Sequence, residues 1–205
     1  VIRKQFDLMN IFEGYVRNYR RINLHQATNG SMFTKREIDY FANLGEMLGF
    51  FSFVEDSKPN QNYGRSRPMD LSWWQIDPKQ DDKEHFSQLV LHLERENVWK
   101  KDIETIDKLF CKTGEEYKAE NVIGIQNVEN YEQIEKSIEL VCKKNKYQDS
   151  NVLMIYRYYD KDKKYDRIRA YYIQKDKIID KKSAICDVDK TGYWRMCFDE
   201  EYEAD

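Results

Sequence analysis

Asp70, Glu94 and Glu96 are the residues of this chain whose types and spacing could do chemistry together. Glu94 and Glu96 close the run Phe86–Glu96, whose side chains alternate as those of a strand do. Acids at i and i+2 then project from one face, and Arg95 between them projects from the other. Asp70 opens the preceding apolar run, Met69–Ile76. If the two runs pair antiparallel through the turn at 77–85, their ends near 70 and 95 meet, and three carboxylates converge on one patch. Crowded carboxylates raise one another's pKa unless a cation neutralises them. Hard oxygen ligands with no thiol nearby suit Mg²⁺ or Mn²⁺ rather than zinc. Such an ion lowers the pKa of a bound water and neutralises charge on a phosphodiester under attack. The pattern therefore points to phosphate chemistry.

The elements that must position these acids can be read from periodicity. Residues 1–20 form a helix by the spacing of Ile2, Phe6, Met9, Phe12 and Val16. HQATNGS at 25–31 is a loop, and Thr34 to Glu37 reads as a capping box opening a second helix that ends at Gly49. Strands follow at Phe50–Val54, Met69–Ile76 and Phe86–Glu96, with the polar segment 55–67 between the first two. In the last, Leu89, Leu91 and Leu93 share one face, and Val90, His92, Glu94 and Glu96 the other. A helix at about 98–111, a strand at 121–127, a helix at 130–144 and an apolar, central strand at Asn151–Tyr159 come next. Ile168–Gln174 pairs with that strand across a charged turn, and Ile185–Phe198 adds a further strand. The fold class is α/β, a mixed central sheet flanked by helices. The chain divides into an N-terminal helical extension (1–33), a core (34–160), and C-terminal strands with an acidic tail (161–205), all in one domain.

Pro68-Met69-Asp70 and Glu94-Arg95-Glu96, in an αβββαβ order, resemble the restriction-endonuclease-like PD-(D/E)XK nuclease superfamily over residues 35–160. The resemblance implies a metal-dependent nuclease, most directly a DNA endonuclease, with Mg²⁺ or Mn²⁺ as cofactor. It implies that Asp70 and Glu94 bind the metal, and that Glu46 on the preceding helix brings a further acid to it. Two departures stand out: Met69 separates Pro68 from Asp70, and Glu96 occupies the position where the family usually has lysine. Some restriction-enzyme branches carry Glu there. A displaced lysine can also come from the following helix, where Lys100, Lys101 and Lys108 are the candidates.

Other residues near the acids fit a nucleic-acid partner less specifically. Arg65 and Arg67 in YGRSR precede Asp70 and could track a phosphate backbone, as could Lys101. Trp99 could stack on a base, whereas Trp73, on the face of Leu71, packs in the core. His92 is expected to be a structural hydrogen-bonding residue. The net charge is −3, but the last seven residues alone carry five acids, and residues 157–182 carry a net of +5. The latter fits phosphate binding or, more simply, solvated hairpin faces. Four cysteines lie without CxxC or Cys/His spacing, which argues against structural zinc and for a reducing, cytoplasmic setting. No apolar run approaches the roughly 18 residues of a membrane span. GxxxxGK[ST], GxSxG and GxGxxG are absent. The partners expected are DNA first, RNA second, a second copy in a homodimer, and no membrane. The alternative function is a non-catalytic nucleic-acid-binding or assembly protein of the same fold. A two-carboxylate glycosidase is disfavoured, because Glu94 and Glu96 are neighbours on one strand.

Overall fold

A mixed sheet of eight strands, ordered along the sheet as along the chain, organises the described residues of the computed structural model, which are 6–22, 30–55, 69–76, 86–110 and 118–202. Two helices lead into it, α1 (Leu8–Ile22) and α2 (Gly30–Met47). Strands β1 (Phe51–Val54), β2 (Leu71–Ile76) and β3 (Phe86–Glu96) form an antiparallel meander. A 3₁₀ turn (Trp99–Lys101) and α3 (Asp102–Leu109) then cross over to β4 (Asn121–Asn127), parallel to β3. Helix α4 (Tyr131–Gln148) crosses to β5 (Asn151–Asp160), parallel to β4. A second antiparallel meander follows through β6 (Tyr165–Gln174), β7 (Lys177–Val188) and β8 (Trp194–Phe198), before the short α5 (Asp199–Tyr202).

The sheet is covered on both faces, so its central strands are apolar nearly throughout. β4 and β5 have lost one-sided alternation for this reason. Leu71, Trp73, Leu91, Leu93, Ile123, Ile125, Leu153 and Ile155 pack toward α1 and α2. Trp74, Leu89, Val122, Val152, Met154 and Tyr156 pack toward α3 and α4 with Ile106, Leu109, Ile134 and Val141. Helix α1 places Leu8, Ile11, Phe12, Tyr15, Val16 and Tyr19 on its buried stripe, and Asp7 accepts a hydrogen bond from the Met9 amide (2.8 Å) at its start. Gly49, at φ +88°, ends α2 as expected: the Phe50 amide reaches back to the Gly45 carbonyl at 2.9 Å.

Three local expectations are corrected. Thr34 and Glu37 form no capping box, because α2 already begins at Gly30 and both side chains point to the end of β3. The alternation along β3 breaks at a bulge: Trp73 pairs with Leu91 and Trp74 with Leu89, so Val90 is the extra residue. Leu89 therefore faces the α3–α4 side, while Val90, Leu91 and Leu93 face the α1–α2 side. Last, β7 begins at Lys177, well before Ile185. Its first five residues are exposed, and the edge-strand partner β8 pairs only with Ala184–Val188.

Candidate active site

The last β2–β3 pair is Leu71 with Leu93, so β3 runs beyond the start of β2 with β4 alone beside it. Asp70 occupies the place a continued β2 would take. Its carboxylate Oδ2 accepts the Arg95 backbone N–H at 2.7 Å, as a strand carbonyl would. In return the Asp70 N–H donates to Glu94 Oε2 at 3.3 Å. The hairpin register thus sets Asp70 and Glu94 side by side. The Asp70 main-chain carbonyl also accepts from the Glu55 amide at 3.0 Å, which ties the end of β1 to the same corner.

Glu94 lies on the α3 face of β3 and is only 3% exposed. Its Oε1 accepts from Lys108 Nζ at 2.9 Å. Lys108, in the last turn of α3, therefore bridges the helix to the strand end, with its side chain partly exposed. The Glu94 carboxyl is pushed up to about 7, first by burial and then by the neighbouring Asp70 charge, which together outweigh the Lys108 ammonium. Asp70 is raised too, by burial first and by the charges of Glu55 and Glu96, against the lowering effect of the Arg95 amide. Lys108 is raised by its hydrogen bond to Glu94 and so holds its proton. Glu94 and Lys108 are each pushed toward their protonated forms, Glu94 because burial and Asp70 act in the same sense.

The remaining expected residues fall around this group or away from it. Glu96 is near enough for its charge to raise Asp70 but does not complete a three-acid cluster with Asp70 and Glu94: its Oε1 accepts the Val98 amide at 2.7 Å, closing the turn out of β3. Glu46 is exposed in the last turn of α2. That turn leads into the end of β1 paired with Trp74, so Glu46 sits at the opposite end of β2 from Asp70. Lys100 and Lys101 are exposed, and the Lys100 ammonium lies 5.0 Å from the Trp99 ring centroid. Arg65 and Arg67 lie outside the described residues. Trp73 and Trp74 are buried, whereas Trp99 is 41% exposed.

Sequence reasoning missed two features. Glu37, buried on α2, binds the Arg95 guanidinium from the other face of β3 (2.6 Å) and accepts the Tyr15 hydroxyl. The available signal was its place four residues before Phe41 on the apolar stripe of α2. His92 is fully buried two residues before Glu94, and neither ring nitrogen has a hydrogen-bond partner among the described residues. It is therefore not the hydrogen-bonding residue expected. Burial lowers its pKa to about 4, so the ring is neutral.

Among the described residues no three His, Cys, Asp or Glu side chains group together as a metal-binding cluster. The constellation is instead two carboxylates and one ammonium. Two adjacent, desolvated carboxylates that resist ionisation are still a set that a small hard cation would relieve. Mg²⁺ is commonly held by one or two carboxylates with water and substrate phosphate completing its shell. Compared with known proteins, the chain matches no family model and no curated protein. No helix among the described residues is long and apolar enough to cross a membrane.

Proposed function

We propose that this protein is a metal-dependent phosphodiesterase acting on nucleic acid, with DNA as the first substrate class, built on a restriction-endonuclease-like core. The observation that carries the reading is the junction of Asp70, Glu94 and Lys108 at the exposed end of the β2–β3 pair. The run α2-β1-β2-β3-α3-β4, with β1–β3 antiparallel and β4 parallel to β3, supports it as the αβββαβ order of that superfamily.

Asp70 and Glu94 would hold Mg²⁺ or Mn²⁺, which supplies a more acidic bound water and charge neutralisation at phosphorus. The chain's own residues do the rest. The Arg95 amide orients the Asp70 carboxylate. Lys108, which reaches Glu94 from α3, would take the part of the superfamily's motif lysine. Because it stays protonated, its role is electrostatic: it stabilises the negative charge that grows on the phosphoryl oxygens as water adds and the P–O ester bond breaks. The Lys108 side chain is partly exposed, whereas Glu94 is buried.

The test is cleavage of linear, circular and single-stranded DNA, and of RNA, with Mg²⁺ and Mn²⁺. Cleavage by the wild type that Asp70→Asn eliminates supports the reading. The alternative is a non-catalytic nucleic-acid-binding protein of the same fold. One observation favours it: both Glu94 oxygens are already engaged, by Asp70 and Lys108. Binding without cleavage in every condition would select it.

A further inference from the structure

We infer that Arg95 is the positioning residue of this site, acting through the back of the sheet. The inference rests on the proposed metal-binding role of Asp70 and Glu94. Arg95 stands between Glu94 and Glu96, where β3 has lost β2 as a neighbour. Its main chain faces the site: the N–H fixes Asp70 Oδ2 at 2.7 Å. Its side chain goes to the opposite face, where it is 2% exposed, and pairs with Glu37, 1% exposed, at 2.6 Å. The same guanidinium donates to the Glu96 carbonyl at 2.7 Å and to Asn127 Oδ1 at 3.4 Å. Asn127 in turn donates to the Asn97 carbonyl at 3.3 Å, and Asn97 donates to Thr34 Oγ1.

These contacts clamp residues 95–97 to α2 and to the end of β4. They do the work that a neighbouring strand does elsewhere in the sheet. A buried charge of fixed fork geometry has one arrangement that satisfies it, so the strand end has one position. The position of the Arg95 N–H, and with it the direction of the Asp70 carboxylate relative to Glu94, follows from that arrangement. Tyr15 donates to the far oxygen of Glu37 and supports the pair from α1, without a hydrogen bond to the Arg95 guanidinium. It separates positioning from general packing.

The experiment titrates Mn²⁺ into wild type, Arg95→Lys and Tyr15→Phe by calorimetry, well below each protein's Tm, and follows amide hydrogen exchange over residues 94–97 without metal. Lysine keeps the charge but cannot serve Glu37, Glu96 and Asn127 at once. Arg95→Lys is expected to bind Mn²⁺ about 10–100-fold more weakly, the range of lost supporting contacts around metal ligands, and to exchange faster at 94–97. Tyr15→Phe is expected to lower Tm with Mn²⁺ affinity unchanged. Unchanged affinity in folded Arg95→Lys, or an equal loss in Tyr15→Phe, overturns the inference and leaves the proposed function standing. If Arg95→Lys does not fold, Asn127→Ala, which removes one outer contact, must weaken Mn²⁺ binding; unchanged affinity there overturns it as well. A wild type that takes up no Mn²⁺ overturns the metal site and this inference together.

Discussion

Replacing Glu94 by Gln should stabilise the metal-free protein at high pH and leave it nearly unchanged at low pH. The Glu94 carboxyl is almost out of water, and its pKa is pushed from an ordinary 4.5 to about 7. Between these values the folded chain keeps a proton that the unfolded chain has released. Stability is therefore lost as pH rises through that window, and the loss is complete above about 7. At about 1.36 kcal/mol per pH unit, the cost of holding the ionised carboxylate is on the order of 3 kcal/mol at pH 8. Gln fills the same space without charge and can still accept the Asp70 N–H. The wild-type curve alone would hide the effect. His92, lowered from 6.5 to about 4, gives the opposite slope over nearly the same range, since its burial is penalised as pH falls. The difference between variant and wild type isolates Glu94. In EDTA, Glu94→Gln should match wild type near pH 4 and melt roughly 6–12 °C higher near pH 8, at 2–4 °C per kcal/mol for a chain of this size. A variant no more stable than wild type at pH 8 would refute the claim that this carboxylate is held ionised against a desolvation cost.

Three further outcomes follow from the same structure. His92→Leu removes two unpartnered buried nitrogens, so its stability relative to wild type, measured by urea unfolding, should improve steadily as pH falls from 7 to 4. Gly124→Ala should cost about 1–3 kcal/mol in the same assay, because an added Cβ would meet Met154 Cε at 2.6 Å and Leu109 Cδ1 at 2.8 Å directly beside Glu94 in the β3–β4 register. Lys108→Met should lower the cleavage rate by about 100-fold or more, while Lys108→Arg, which keeps the charge, should retain most of it; equal rates in wild type and Lys108→Met would remove the lysine from the mechanism.

Much of the frame around the site was legible in the sequence because it depends on local pattern. Apolar alternation at 71–76 and 86–96 with a polar turn between them is enough to expect the hairpin, and the hairpin brings Asp70 to Glu94. Gly49 signalled the end of α2 because a left-handed residue is needed there. What escaped depends on tertiary partners. The bulge at Val90 has no local marker: Trp73 and Trp74 are both large and apolar, and only the two packed faces of the sheet decide which residue turns where. The start of β7, KIIDKK, is charged because half of it lies beyond β8 at the edge, so no buried face imposes alternation. Nothing in the spacing of Lys100, Lys101 and Lys108 selects the last; only the packing of α3 against β3 brings it onto Glu94. Glu96 was assigned with Glu94 by parity alone, but one of its carboxylate oxygens accepts the Val98 amide two residues on.

In the proposed function Asp70 and Glu94 hold one divalent ion at the end of the β2–β3 pair. Crystals grown with Mn²⁺ and measured at its absorption edge test this most directly. One anomalous peak is expected within about 2.0–2.3 Å of an oxygen from each of the two carboxylates, the distance range of a small hard cation, and no peak there in Asp70→Asn. No peak at this corner in wild type under saturating Mn²⁺, or a peak bound elsewhere with Asp70 and Glu94 still joined only to each other, Arg95 and Lys108, would contradict it.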